Sequence, residues 1–222
     1  MVTVTAMTGR GMRWAGLVGA VGVSLAAAFS VVLPWARGRE RSFPGVDAGD
    51  SLESYVSDVI HPVVQFYLVP VFAWSFVALL LATTAGVRAS WARFVAAAVA
   101  LLPTALLCLG IMIASDPGPY AEPYEVRSQW ICAAAIAVLL ALLLAAVVAL
   151  LRRVYRVYHW FVVAFLVGLG ALHLAAIGLF AATLHSDVQV TGYAWLPGAG
   201  YILAGVFAAF AARGAAALAE EA

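Results

Sequence analysis

Six long apolar runs dominate this 222-residue chain and limit the folds that it can adopt. The runs contain no Asp or Glu, and arginine enters them only near their edges, at Arg93 and Arg213. Each is close to the ~20 residues that a helix needs to cross the ~30 Å hydrocarbon core of a bilayer. The bilayer interior has no water to bond backbone groups, so such runs are expected to be helices. We therefore predict an all-α integral membrane protein, one transmembrane domain over residues 1–222, with six transmembrane helices at 14–34, 62–86, 92–114, 129–151, 160–183 and 195–213.

The twelve arginines indicate how these helices are oriented. One face receives eight of them: Arg10, Arg13, Arg88, Arg93, Arg152, Arg153, Arg156 and Arg213. The other face receives four arginines and nine of the eleven carboxylates. Cytoplasmic loops carry an excess of basic residues, so the arginine-rich face and both termini are predicted to be cytoplasmic. Six of the seven tryptophans fall at predicted helix ends, where amphipathic rings meet the headgroups.

Composition narrows the class of protein further. The chain is 65% hydrophobic with a mean hydropathy of +1.02, and its net charge of +1 gives no reason to expect a nucleic-acid partner. It contains no Lys and no Asn, residues encoded by A-rich codons, which favours a bacterium of high GC content and hence its inner membrane. The apolar run after Arg10 and Arg13 is longer than a signal-peptide core, so we expect an uncleaved first helix.

The first outer loop, residues 35–61, is long enough for structure of its own. Apolar residues recur from Leu52 to Ile60 at helical spacing after Asp50 and Glu53, which predicts a short amphipathic helix on the membrane surface. Just before it, Arg37, Arg39 and Arg41 alternate and are candidates for an outer-face interaction. Alternatively, they lie beside the membrane and pair with nearby carboxylates. The proline-rich loop 115–128 is expected to be extended.

Rows of small residues on two helices predict close helix packing. One row has an alanine at every fourth position: Ala133, Ala137, Ala141, Ala145 and Ala149. The preceding helix has Ala92, Ala96, Ala100, Thr104 and Cys108 at the same spacing. Small residues let helix backbones approach closely in a bilayer. We therefore expect these two helices to form a close pair, with the leucines of the fourth helix facing lipid.

His173 is an ionisable side chain deep within a predicted span, where such residues are functional candidates. Counting from the span ends places Ser24, Ser75 and Thr104 at a similar depth. Together these four residues could bind a small polar ligand or relay a proton at the membrane midplane. In the alternative interpretation, a neutral His173 bonds one hydroxyl, while the other hydroxyls bond carbonyls of their own helices.

Signatures for catalysis or cofactors are weak. Asp58, His61, His185 and Asp187 could form an outer-face metal site if their loops met, but their spacing has no specificity. Haem would need two facing histidines at one depth, and a lysine for a Schiff base is absent. Cys108 and Cys132 lie toward the outer face, and a disulfide and two buried thiols both remain open. We predict no cofactor, no metal and no catalytic residues.

These observations favour a non-catalytic polytopic membrane protein that acts as an accessory or scaffold subunit. Its partners would be the lipid bilayer and a membrane protein bound through the small-residue helix faces. The aromatic residues of the second span offer further rigid contact surface: Phe66, Tyr67, Phe72, Trp74 and Phe76. One alternative is a small-solute or lipid-type transporter with its site around His173. A second alternative is an outer-face metal or redox protein.

Overall fold

Seven helices make up most of the structure, a computed structural model that describes residues 2–37, 42–45, 61–89, 91–116, 118, 122–183 and 189–220. They are α1 (Val2–Ser30), α2 (His61–Leu68), α3 (Val71–Thr83), α4 (Ala92–Ala114), α5 (Pro123–Leu151), α6 (Tyr155–Thr183) and α7 (Leu196–Glu220). Five of them are long and apolar enough to cross a membrane: α1, α4, α5, α6 and α7. The short helices α2 and α3 pass the same test only as a pair. The predicted class, a helical protein suited to a membrane, is confirmed at this level.

The pair α2–α3 occupies the run predicted as one span and is bent by 50°. The bend follows from Pro70, which has no N–H to donate to the carbonyl of Phe66 four residues earlier. The chain widens before it into a π-helix over Val64–Leu68, closed by a bond from Val69 N to Val64 O of 2.9 Å. The indole of Trp74 supplies the missing donor, since its Nε1 donates to Phe66 O at 2.8 Å. A tryptophan within the span thus stabilises the break in the helix.

Glycines bring α1 and α7 into close antiparallel contact. A Cβ atom on Gly16 would lie 2.3 Å from the backbone N of Ala211, and one on Gly214 would lie 2.5 Å from the backbone N of Arg13. Gly9 also lies against Ala217 and Leu218. The two ends of the described chain therefore lie together at one end of the bundle, which we call the terminal face. Close backbone approach of this kind is how helices associate where lipid removes the hydrophobic driving force.

The small-residue rows behave differently on the two helices that carry them. On α4 the row is buried from Ala96 to Cys108, as expected. On α5, however, Ala137, Ala141 and Ala145 are exposed, and larger residues such as Leu143 and Leu150 are buried instead. The prediction that the two rows face each other is wrong. The prediction that leucines of α5 face outward holds for Leu142 and Leu144, which are exposed, but not for Leu143 and Leu150. The face of α5 that offers most apolar volume packs inward, and the alanine row is left outside.

The opposite end of the bundle is covered by a small antiparallel sheet that the sequence did not reveal. It contains β1 (Pro34–Arg37), β2 (Ser42–Pro44) and β3 (Gln189–Val190) in the order β2-β1-β3. We call this end the sheet face. The chain leaves α1 at Ser30, four residues before the predicted end, and then enters β1. The predicted amphipathic helix over 50–60 lies outside the described residues.

Helix α5 begins within the loop that was expected to be extended. The capping box of Glu122 and Glu125 explains this start, because each side chain accepts a bond from a backbone N–H of the other residue. Pro123 follows at the first helical position, where its missing N–H costs nothing. The expectation of extended structure is therefore wrong for residues 123–128.

At the terminal face, the connection between α3 and α4 packs against α6 and α7. Tyr158 of α6 donates to Thr84 Oγ1 at 2.8 Å, and His159 Nε2 donates to Val87 O at 3.1 Å. Gly86 has a φ of +76°, and a Cβ there would lie 3.2 Å from Ala211 O. These contacts bring Arg88 to the same end of the bundle as the arginines at the ends of α1 and α7.

Candidate functional site

His173 lies fully buried on α6, close to the sheet face. Its Nε2 lies 2.6 Å from the carbonyl oxygen of Ala194, in the 3-10 turn Gly192–Trp195 that leads into α7. A carbonyl only accepts, so Nε2 carries a hydrogen. In the neutral ring Nδ1 is then an acceptor, and the Tyr67 hydroxyl of α2 donates to it at 2.7 Å. Both ring nitrogens are satisfied, and His173 joins α2, α6 and the start of α7.

Trp35 of β1 covers the histidine from the sheet side. Its ring lies edge-on to the His173 ring, with 5.0 Å between the centroids and 85° between the planes. The indole Nε1 donates to Ser30 O at 3.1 Å, which ties β1 back to the end of α1. Thr191, directly after β3, also bonds β1: its N donates to Trp35 O at 2.8 Å and its hydroxyl donates to Pro34 O. We call Trp35, Tyr67 and His173 the His173 cluster.

A second buried pair lies between α3 and α7. The hydroxyl of Tyr201 donates to Ser75 Oγ at 2.6 Å, and Ser75 donates in turn to Val71 O at 2.8 Å. Gly200 packs against Ala27 of α1, so the antiparallel register of α1 and α7 puts Ser24 opposite Leu203, about 3 Å along the helix axis from the level of Tyr201. Ser24 is fully buried, and its Oγ has no hydrogen-bond partner among the described residues.

The four residues proposed for a midplane site thus have different surroundings. His173 bonds Tyr67 and Ala194, and Ser75 bonds Tyr201. Thr104 is buried on α4, and its hydroxyl donates to Ala100 O at 2.7 Å. Ser75 and Thr104 bond the carbonyl four residues earlier, as the alternative interpretation expected, whereas the hydroxyl bonded to His173 belongs to Tyr67 and to none of the four residues. No hydrogen bond in the described structure joins any two of these four residues, and their role as a site stays a prediction.

The aromatic hydroxyls that complete these contacts were not among the predicted site residues. Tyr67 and Tyr201 are fully buried and bond two residues that were, His173 and Ser75. Tyr67 was considered only as contact surface, together with the other aromatic residues of its span. A phenol well inside an apolar run is a usable signal, since a buried hydroxyl requires a partner.

Near the start of α2, His61 Nδ1 lies 2.9 Å from Ser128 Oγ, and the His61 ring lies edge-on to Tyr124. Cys132 and Cys108 are buried free thiols, and Cys132 lies 3.7 Å from Pro62 O. The described residues contain no group of three or more side chains placed to hold a metal ion. Asp58, His185 and Asp187, which the sequence offered with His61 only as a weak candidate for a metal site, lie outside the described residues, as do Arg39 and Arg41. Arg37 is exposed at the end of β1, and its outer-face role stays a prediction.

Two cavities on the bundle surface are almost entirely apolar. One, of about 240 Å³, lies between α6 and α7 and ends at Arg213. The other, of about 200 Å³, lies between α1 and α3 and is lined by residues such as Leu25 and Phe72. Neither is lined by the His173 cluster or by the Tyr201–Ser75 pair.

Comparison of the chain with protein-family models, with curated proteins and with solved structures finds no match. Any function must therefore be inferred from the geometry of the chain itself. That geometry consists of buried polar contacts that join helices, apolar surface grooves and one exposed row of alanines.

Proposed function

We propose that this chain is a non-catalytic, multi-pass protein of the bacterial inner membrane that serves as an accessory or scaffold subunit of a membrane complex. In this proposal both termini are cytoplasmic, because the terminal face gathers the arginine-rich segments and cytoplasmic segments favour basic residues. The sheet face lies outside. The partner is another membrane protein.

The exposed alanine row of α5 is the observation that supports this proposal best. Ala137, Ala141 and Ala145 are exposed along one side of a 29-residue helix. Small side chains at this spacing allow a second helix backbone to approach closely. Within the described chain, the comparable row on α4 is already buried, whereas the row on α5 faces outward. A helix of a partner is the occupant that this surface suits.

The internal polar contacts also favour a structural role. His173 has both ring nitrogens bonded and is fully buried, and it lines neither surface cavity. Its contacts join α2, α6 and the turn before α7, and Trp35 adds the sheet. Such an arrangement suits a side chain that fixes the sheet face in place, so that the outer surface presented to a partner is rigid.

Co-purification with bulky substitutions on α5 tests the proposal. Ala141→Phe places a large ring in the centre of the row, whereas Leu142→Phe changes an exposed residue 100° around the same helix. We expect the wild-type protein and Leu142→Phe to co-purify with one membrane partner in mild detergent, and Ala141→Phe to lose it. Both variants should unfold at the wild-type temperature. A wild-type monomer without a partner would contradict the proposal.

One observation supports the alternative of a small-solute transporter. The buried hydroxyl of Ser24, within one helical turn of the level of Tyr201, has no hydrogen-bond partner in the part of the chain that the structure describes, and a ligand could supply one. Uptake measured with Ser24→Ala and His173→Ala separates the two functions. A transporter should lose uptake in folded protein, whereas a scaffold should change only in stability.

A further inference from the structure

The cavity between α6 and α7 is an apolar groove with a cation at one end. Val163 and Val167 of α6 line one wall, and Phe210 lies on the α7 side. Gly205 lets the helices approach, since a Cβ there would lie 2.6 Å from Val167 Cγ2. From Gly205 to Arg213 the groove follows eight residues of α7, about 12 Å. That is most of the ~15 Å depth of hydrocarbon in one leaflet.

A second arginine lies at the same end of the groove. The contacts of Gly205 with Val163 and Val167 define the antiparallel register of α6 and α7. Continued by two turns, this register brings Arg213 opposite residues 155–159 of α6. Arg156 lies in that stretch, is exposed, and precedes Val163 by seven residues, which places both on one face of the helix. Trp160, 43% exposed, lies between them, at a position where tryptophan favours the headgroup level.

The surroundings of these arginines are strongly cationic. The helices α1, α6 and α7 contain no Asp and a single Glu, Glu220, seven residues beyond Arg213 at the end of α7. The same end of the bundle holds Arg10 and Arg13. An acidic group would therefore be attracted to the mouth of the groove, and an apolar chain to its length.

We propose that the groove between α6 and α7 binds an acidic phospholipid. One acyl chain lies along Val163, Val167 and Gly205, and the phosphate lies between Arg156 and Arg213. Guanidinium groups suit this position because their planar donors match phosphate oxygens. The apolar length distinguishes this occupant from a soluble phosphate, which would use only the two arginines. The site is separate from the alanine row of α5 and does not depend on the proposed function.

The test measures phospholipid retained on the full-length protein. Native mass spectrometry counts bound phosphatidylglycerol and phosphatidylcholine, and thermal unfolding records stabilisation by each lipid and by inorganic phosphate. The variants are the double substitution Arg156→Gln with Arg213→Gln, and Ala209→Leu, which fills the groove without changing charge. Arg10→Gln removes an exposed arginine of the same face that does not line the groove.

We expect phosphatidylglycerol to bind in preference to phosphatidylcholine, and inorganic phosphate to give no stabilisation. Each groove arginine should contribute about a fivefold difference in affinity, so the double variant should bind on the order of 25-fold more weakly. Ala209→Leu should also release the lipid, and Arg10→Gln should retain it. Equal loss in Arg10→Gln would show general attraction to the basic face and would overturn the proposal. Unchanged binding in either groove variant would overturn it as well.

Discussion

Removal of one hydroxyl should show how strongly the His173 cluster holds the sheet face. In Tyr67→Phe the ring and its edge-on contact with His173 remain, but His173 Nδ1 loses its donor. Tyr67 and His173 are both 0% exposed, so water cannot replace the bond. A buried acceptor left without a partner costs about 1–3 kcal/mol. We expect the free energy of unfolding to fall by that amount, a large part of the ~5–15 kcal/mol typical of a folded domain.

The assay is reversible unfolding in detergent micelles, followed by tryptophan fluorescence, because Trp35 lies 5.0 Å from His173. Tyr193→Phe is the matched control, since Tyr193 is 50% exposed and should change stability by less than about 0.5 kcal/mol. A double-mutant cycle with His173→Leu should assign most of the loss to the Tyr67–His173 pair. If Tyr67→Phe proves as stable as Tyr193→Phe, the hydrogen bond does not hold this end of the bundle and the reasoning is wrong.

Three further variants or measurements probe other parts of the fold. Trp74→Phe should lower stability by about 1–3 kcal/mol in the same unfolding assay, because it leaves the Phe66 carbonyl at the bend without a donor; no loss would mean that the carbonyl finds another partner. Gly16→Ala should destabilise the protein by about 1–3 kcal/mol, since its Cβ meets Ala211. Gly22→Ala should be neutral or slightly stabilising, because none of the described residues beyond its own helix would lie within 4 Å of the added Cβ. Mass measurement after alkylation should show Cys108 and Cys132 unmodified in the folded protein and both modified after denaturation without reductant; a mass two hydrogens lower would reveal a disulfide.

Much of the helical layout could be predicted from the sequence, because lipid imposes length and polarity on each span. The ends of α4 agree with the predicted 92–114, and α5 and α6 end where expected. The bend at Pro70 could also have been predicted, since proline has no N–H to bond the carbonyl four residues earlier in a helix. A single span was predicted because most residues on both sides of Pro70 are apolar.

The sheet and the buried contacts could not be predicted in the same way. The strands β1 and β3 are separated by more than 150 residues, and nothing local indicates that they pair. The partner of His173, Tyr67, lies 106 residues away and on a different helix. The burial of the alanine row of α5 could not be predicted either. Its periodicity shows that the alanines share one face of the helix, but not whether that face packs against the rest of the chain or is exposed.

Photo-crosslinking from α5 in native membranes shows whether a second membrane protein lies against the alanine row. A photoreactive amino acid at position 141 lies in the middle of the exposed row, whereas one at position 109 lies on the exposed side of another helix, α4, where Leu109 is 57% exposed. We expect a discrete adduct with one other membrane protein from position 141 and none from position 109. Lipid adducts alone at both positions would contradict the claim that α5 binds a partner.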